Sequence, residues 1–299
     1  MTGLAKALTG VSGILVTPFD ADGEISTAPL QKIVDRAVGA GVHVLTSNGN
    51  TGEFYSLTMD EAMRMVHAHA NAIAGRVPMV AGVGRGVRDA CSLARESRKA
   101  GAAALMVHQP PDPFVSPRGL VDYLEAVRDA GDGLPLILYL RNDAIGTDRI
   151  AAMCAVDGVA GVKWASQNPM KLKAAMAAAP DNIVWVGGLA EVWAPTFYAV
   201  GARGFTSGLI NVWPERSVAI NRALEAGDYA TARALIAGMQ VFEDIRAEEQ
   251  GGANVPGVKA ALRMMGEDCG IARPPAAWPL TENQTTRLKA FMHQNGLIG

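Results

Sequence analysis

Short apolar segments alternate with longer amphipathic ones through the first two thirds of the chain, and this alternation most constrains the fold. Between the short segments, apolar residues recur at three- and four-residue spacing, which indicates helices. Strands that alternate with helices form parallel sheets, and eight such units favour a closed (β/α)8 TIM barrel over an open doubly wound sheet. We predict strands at Ile14–Thr17, Val42–Thr46, Met79–Gly82, Ala104–Val107, Leu136–Tyr139, Gly161–Trp164, Ile183–Gly187 and Gly204–Ser207.

Glycines and the C-terminal third of the chain refine this α/β prediction. Gly41, Gly101 and Gly201 each follow a helical segment and precede a strand, where a left-handed helix cap is needed. After the eighth strand the pattern is helical only, and its first helix completes the barrel. We therefore predict a barrel at residues 1–228 and a C-terminal helical region at 229–299. The helices of this last part are predicted at Ser217–Ala226, Tyr229–Ile245, Val258–Gly266 and Glu282–Asn295.

Charge and cysteine content exclude several classes of protein. The chain has 299 residues, a formal net charge of −2 and no block of basic residues, which argues against binding to nucleic acid or a membrane surface. The three cysteines are far apart in the sequence, as in proteins of a reducing compartment. No run of about 18 apolar residues and no secretory leader pattern is present. We expect a cytoplasmic protein with a small-molecule partner.

The active site of a TIM barrel lies at the carboxyl ends of its strands. The predicted strands end in glycine or polar residues, which we take as candidates for substrate binding: Thr17, Gly188 and Ser207. The histidines lack the spacing of metal ligands, so we expect no metal site.

Lys163 is an unusual residue for the strand that contains it, because parallel strands are buried on both faces and are mostly apolar. Burial lowers the pKa of a lysine by disfavouring its charged form, and a neutral amine can attack a ketone to form an imine. Strand alternation would turn Lys163 into the barrel and turn Val162 and Trp164 towards the helices. The alternative is a lysine at a strand end whose ammonium group reaches solvent, and the local sequence leaves both interpretations open.

Two further features fit a catalytic lysine. Tyr139 ends the neighbouring strand, where its phenol can transfer protons; the alternative is a core tyrosine with a bonded hydroxyl. The turn Gly49-Asn50-Thr51-Gly52 follows strand two, and successive backbone N–H groups in such a turn can bind a carboxylate. An ordinary tight loop is the alternative for this turn.

Taken together, these segments resemble the dihydrodipicolinate synthase and N-acetylneuraminate lyase family over nearly the whole chain. The resemblance implies that Lys163 forms an imine with a 2-oxo acid, that Tyr139 relays protons, and that Thr51 with its flanking amides holds the substrate carboxylate. It also implies a homo-oligomer, a dimer or tetramer, without a cofactor. The residues that carry it are Thr17-Pro18-Phe19, Gly49 to Glu53 with Leu57-Thr58, Gly82-Val83-Gly84, Tyr139, Gly161-Val162-Lys163 and Arg273-Pro274-Pro275.

The chain departs from the synthase pattern in two places. Asn50 stands where the synthases have the first of two threonines, and residues 108–112 (His-Gln-Pro-Pro-Asp) stand where they have a tyrosine pair. The segments Thr51–Thr58 and Tyr139–Asp143 look more like the dehydratases of 5-keto-4-deoxyglucarate and 2-keto-3-deoxy acids. By this likeness, the candidates to face the polar tail of a sugar acid are Arg141, Asn142, Glu191, Ser207 and Asn211; the alternative is that they are solvated or capping residues. We therefore expect a Schiff-base lyase that dehydrates a 2-keto-3-deoxy sugar acid. The alternatives are retro-aldol cleavage to pyruvate and an aldehyde, dihydrodipicolinate synthase-like condensation, and a non-catalytic barrel that binds 2-oxo acids.

Overall fold

The computed structural model describes residues 3–112 and 114–299, and eight parallel strands in it close into a barrel. The strands follow one another around the barrel in chain order, and the first also pairs with the last. This arrangement confirms the predicted (β/α)8 class. The strands are β1 Val11–Ile14, β2 Val44–Ser47, β3 Met79–Val83, β4 Ala104–His108, β5 Leu136–Leu140, β6 Val159–Trp164, β7 Val184–Gly187 and β8 Phe205–Ser207.

The first strand begins three residues earlier than predicted. The apolar run at Ile14–Thr17 suggested its position, but the barrel is closed by Val11, which pairs with Phe205 of β8. After Ile14 the chain leaves the ladder, and the backbone N–H of Val16 donates to the Asn211 side chain at 3.2 Å. Burial alone therefore misplaced this strand, because the run remains buried after it stops pairing.

Eight helices, α2 to α9, cover the outside of the barrel, and α1 precedes β1. Each of these eight helices follows a strand, as the alternation of short and long segments predicted. The helices are α1 Gly3–Leu8, α2 Leu30–Gly39, α3 Met59–Ile73, α4 Val87–Lys99, α5 Pro117–Ala130, α6 Thr147–Cys154, α7 Pro169–Ala178, α8 Ala190–Val200 and α9 Pro214–Glu225.

The glycines at the helix-to-strand turns have the conformation expected of them. Gly41, Gly101 and Gly201 have φ angles of 89°, 81° and 116°, a region that a residue with a Cβ rarely adopts. The prediction of left-handed caps at these three positions is confirmed.

Side chains of β6 alternate between the two sides of the barrel wall. Val162 and Trp164 pack in the core between strands and helices. Tyr139 of β5 packs with Val186 of β7 in the separate core inside the barrel, and Lys163 pairs in register with both residues. The predicted inward orientation of Lys163 is therefore observed.

Four helices follow the barrel: α10 Tyr229–Ala237, α11 Gln240–Ala247, α12 Asn254–Met264 and α13 Glu282–Gln294. The helix predicted at Tyr229–Ile245 is broken in two near Met239, whose φ of −119° and ψ of 1° interrupt it. The boundary that we propose after Asp228 falls between α9 and α10. Among the described residues, no helix is both long and apolar enough to cross a membrane.

The C-terminal region is joined to the barrel mouth by a buried ion pair. Lys259 of α12 lies 2.6 Å from the carboxylate of Glu53, and both side chains are almost completely buried. Glu53 ends the glycine-rich turn after β2, and its carboxylate also accepts the backbone N–H of Arg273 at 2.8 Å. Because Glu53 has a φ of 57°, these contacts hold the turn in an uncommon conformation.

Replacing Glu53 with glutamine is expected to lower the free energy of unfolding by about 3–5 kcal/mol, because it leaves the Lys259 charge buried without its partner. Chemical denaturation of the variant measures the loss. The double variant Glu53→Gln, Lys259→Met is expected to recover part of it, since no uncompensated charge remains. A double variant no more stable than Glu53→Gln would contradict this interpretation.

Candidate active site

A cavity of about 340 Å³ lies at the carboxyl ends of the strands, where the active site of a barrel of this class is found. Its inner wall is formed by strand ends and its outer wall by α8, α11 and the start of α12. Seven of the ten residues named from the sequence as catalytic or substrate-binding line it: Asn50, Thr51, Tyr139, Arg141, Lys163, Gly188 and Ser207.

Lys163 lines this cavity from within β6, and its side chain does not extend into solvent. The residue is 4% exposed. Burial, with a smaller contribution from the positive charge of Arg141, lowers the pKa of Lys163 to about 7. A substantial fraction of the amine is therefore neutral near pH 7 and can act as a nucleophile.

Tyr139 is the nearest aromatic neighbour of the lysine across the ladder. The two residues are register partners on β5 and β6, and the Lys163 Nζ atom lies 3.8 Å from the centre of the Tyr139 ring. The Tyr139 hydroxyl accepts a hydrogen bond from the Asn50 side chain at 2.9 Å. Burial raises the pKa of Tyr139 to about 12, so the phenol keeps its proton at neutral pH.

Three predicted binding residues, Thr17, Gly49 and Gly52, do not line the cavity but fix the shape of the glycine-rich turn. The Thr17 hydroxyl donates to the backbone carbonyl of Gly52 at 2.7 Å. A Cβ on Gly49 would overlap the Ile14 side chain, and a Cβ on Gly52 would lie 2.9 Å from the carbonyl oxygen of Leu15. The packing therefore requires glycine at both positions, and Asn50 and Thr51 are the turn residues exposed to the cavity.

His108 ends β4 at the point where the synthase pattern continues into its tyrosine pair. It is in register with Tyr139 and stacks on the Phe54 ring at a centroid distance of 4.3 Å. Its Nε2 atom lies 2.8 Å from the backbone carbonyl of Asn48, so Nε2 carries the proton. Burial lowers the pKa of His108 to about 3, and the imidazole is neutral. The sequence indicated no such role for this histidine.

The other polar candidates near the mouth are mostly structural. Asn211 is buried and its side chain donates to the carbonyl oxygens of Ile14 and Gly208, while Asn142 caps a short 3₁₀ helix. Glu191 is completely buried and accepts from the Ser217 hydroxyl at 2.5 Å. Burial raises the pKa of Glu191 above its ordinary value.

Sequence reasoning missed the residues that the C-terminal region contributes. Glu243 and Arg246 of α11 and Asn254 at the start of α12 line the same cavity as Lys163. No motif distinguishes these residues from those of an ordinary amphipathic helix. Within the described ranges, no group of three or more histidine, cysteine or acidic side chains is arranged to hold a metal ion.

Replacing Arg141 with glutamine is expected to raise the pKa of Lys163, because the Arg141 charge opposes protonation of the amine. In the unaltered protein, cyanoborohydride trapping with saturating pyruvate should accelerate as the pH rises through about 7. In the variant, the same rise should occur at higher pH. The control is Arg149→Gln, which removes an exposed arginine outside the cavity. If the trapping rate rose at the same pH in all three proteins, Arg141 would not be a cause of the lowered pKa of Lys163.

The fold and the cavity define a (β/α)8 barrel with a buried amine at the carboxyl ends of its strands. Residues 7–295 match the dihydrodipicolinate synthetase family. The chain therefore belongs to this family, as the resemblance predicted.

Relatives within the family carry two kinds of name. A probable 5-dehydro-4-deoxyglucarate dehydratase of Rhizobium rhizogenes is 33% identical and aligns over 91% of each chain. One of Streptomyces coelicolor is also 33% identical, over 94% of this chain and 92% of its own. Among solved structures, the dihydrodipicolinate synthase of Oceanobacillus iheyensis superposes with a TM-score of 0.93 at 34% identity, and covers 98% of both chains.

Proposed function

We propose that this enzyme forms an imine between Lys163 and a 2-oxo acid and then removes water from it, with 5-dehydro-4-deoxyglucarate as the substrate that best fits. The observation that carries the proposal is the buried amine of Lys163, with its pKa lowered to about 7, beside the Tyr139 phenol. An amine of this kind is suited to attack a ketone near neutral pH.

The chemistry needs one nucleophile and one group that moves protons. The Lys163 amine adds to the 2-oxo carbon, and the hydroxyl of the adduct leaves as water with the Tyr139 proton. The resulting imine withdraws electrons, so the phenolate takes a proton from the neighbouring CH₂ group and an enamine forms. The enamine electrons then expel the hydroxyl on the next carbon, which leaves as water with that proton. Hydrolysis of the protonated imine releases the product, restores the Lys163 amine and returns a proton to the Tyr139 phenolate.

The substrate class follows from the relatives and from what replaces the tyrosine pair. Curated relatives at 32–33% identity are named dehydratases of 5-dehydro-4-deoxyglucarate, a deoxy sugar acid with a 2-oxo acid group. In this chain the end of β4 carries His108, whose ring is stacked on Phe54. This replacement argues against a synthase-type tyrosine relay, although the matched solved structures are named synthases.

The proposal is tested by incubating the enzyme with 5-dehydro-4-deoxyglucarate and identifying the products by mass spectrometry. A product that has lost water, without release of pyruvate, supports the proposal. Release of pyruvate and an aldehyde would instead indicate retro-aldol cleavage. Condensation of pyruvate with aspartate semialdehyde would indicate a synthase, and borohydride adducts without turnover would indicate a binding protein.

Three expectations from the sequence accompany this proposal. We infer that the chain assembles into a homo-oligomer, a dimer or tetramer, that it acts in the cytoplasm and that it needs no added cofactor. Sedimentation of the purified protein and assay after exhaustive dialysis test the first and the last.

A further inference from the structure

Arg246 is a buried cation in the cavity wall that the proposed chemistry does not use. It lies on α11, is 5% exposed, and lines the same cavity as Lys163. Burying a guanidinium is unfavourable unless it is paired and hydrogen-bonded. Its position at the cavity, away from the surface, therefore calls for a ligand or a structural reason.

Neighbouring side chains fix the orientation of Arg246. Its Nη1 forms an ion pair with Glu243, Nη2 donates to the Asn254 side chain at 2.8 Å, and Nε donates to the Asn254 carbonyl at 3.4 Å. A guanidinium has five N–H donors, and the part of the chain that the structure describes accounts for three. Two donors are left for a ligand in the cavity.

A glycine in the strand-end backbone, Gly208, leaves room for the Arg246 guanidinium. A Cβ on Gly208, just after β8, would overlap Nη2 of Arg246, and the same Cβ would lie 3.2 Å from the Thr51 hydroxyl. Glycine at this position therefore lets the charge of α11 reach the strand ends. Arg246 thus meets the cavity on the side where β8 and the glycine-rich turn come together.

A substrate joined to Lys163 occupies the cavity that Arg246 also lines. The imine carbon is fixed at Lys163 within the barrel, and the amides of the turn at residues 49–52 are the proposed site of the adjacent carboxylate. The rest of the substrate fills the remainder of the cavity, whose lining includes α11 with Arg246. In a sugar diacid, the far end is a second carboxylate, which an arginine binds well through paired hydrogen bonds.

We propose that Arg246 binds the second carboxylate of a dicarboxylic 2-oxo acid, the one farthest from the carbon that reacts with Lys163. Glu243 and Asn254 orient the guanidinium for this contact. The inference rests on the proposed function and deepens it, because it makes the enzyme selective for acids with a carboxylate at both ends.

The test compares two acids that differ only at the far end: 5-dehydro-4-deoxyglucarate and the 2-keto-3-deoxy hexonate of the same configuration, which has a CH₂OH group there. The half-saturating concentration for borohydride trapping is measured for both acids. In Arg246→Gln, the preference for the diacid is expected to fall roughly 10- to 100-fold, the range of a hydrogen bond to a charged group. Gly208→Ala, which keeps the arginine but displaces its guanidinium, should lower the preference in the same direction.

The matched control is Arg263→Gln, which removes an arginine of α12 that pairs with Asp268 at 3.1 Å, outside the cavity. It should leave the preference unchanged. An equal loss for both acids in Arg246→Gln would overturn the proposal and assign Arg246 to folding or to the first carboxylate. Loss of the preference in Arg141→Gln, with Arg246→Gln unaffected, would overturn it in favour of Arg141.

Failure of the proposed function has a different signature. If neither acid is trapped by the unaltered enzyme, the imine mechanism is wrong. Calorimetry of the binding of each acid to Lys163→Ala then measures the same preference without an imine. A preference for the diacid that disappears in Lys163→Ala, Arg246→Gln supports the role of Arg246 even in that case, and no preference overturns it.

Discussion

Replacing Lys163 with alanine is expected to abolish the covalent adduct with pyruvate and to reduce dehydration to the uncatalysed background. The reason is that the imine supplies the electron-withdrawing group on which every later step depends, and its nitrogen comes from this side chain. Mass spectrometry after borohydride reduction measures the adduct directly. Lys173→Ala, which removes an exposed lysine of α7, is the matched control and should form the adduct as the unaltered protein does.

The loss in Lys163→Ala is a loss of chemistry and not of folding. Burial lowers the pKa of Lys163 from 10.5 to about 7, so keeping this amine in the folded state opposes folding at neutral pH. We expect Lys163→Met, which fills the same space without a charge, to have an unfolding temperature at pH 7 no lower than that of the unaltered protein. An adduct that persists in Lys163→Ala would refute the assignment of the nucleophile.

Replacing Tyr139 with phenylalanine is expected to lower kcat by about 10²–10⁴-fold, the contribution of a well-placed proton-transfer group. The ring that contacts Lys163 is retained, so the fold and the position of the amine are kept. What is lost is the hydroxyl, which accepts from Asn50 at 2.9 Å and has a pKa raised to about 12. Steady-state assay of dehydration measures the effect.

Trapping with pyruvate distinguishes a role in proton transfer from a structural one. In Tyr139→Phe the adduct with Lys163 should still form, but more slowly. The control Tyr123→Phe removes a phenol of α5 that donates to the Arg85 carbonyl at 3.1 Å outside the cavity, and its kcat should be unchanged. A kcat within a few-fold of normal in Tyr139→Phe would exclude Tyr139 as the main proton relay.

Much of the barrel was predictable because its signals are local. Apolar spacing within single segments located the strands and helices, and glycine at helix ends marked turns such as Gly41, whose φ is 89°. The error at β1 has the opposite origin. Whether Val11 or Thr17 pairs depends on the partner strand β8, which lies about 190 residues away in the sequence and leaves no mark at the N-terminal segment.

The residues of the candidate site also divide into those with a local sequence signal and those without one. Lys163 and Tyr139 were found because a lysine in a buried strand and a tyrosine on the next strand are visible within a few residues. Arg246 was missed and His108 was noted only as a departure from the synthase pattern, since the contacts of both depend on neighbours that only the closed barrel supplies. Phe54 stacks on His108, and Asn254 orients Arg246.

The sequence by itself determined the barrel class and the family resemblance, because each follows from residue type and short-range spacing, but it left the orientation of Lys163 open between the barrel interior and solvent. The tertiary structure decided the environment of that lysine. Closure of the barrel buries the amine and lowers its pKa, and packing of the C-terminal helices over the mouth brings Arg246 to the same cavity. These contacts join residues far apart in the chain, and only the folded packing sets such distances.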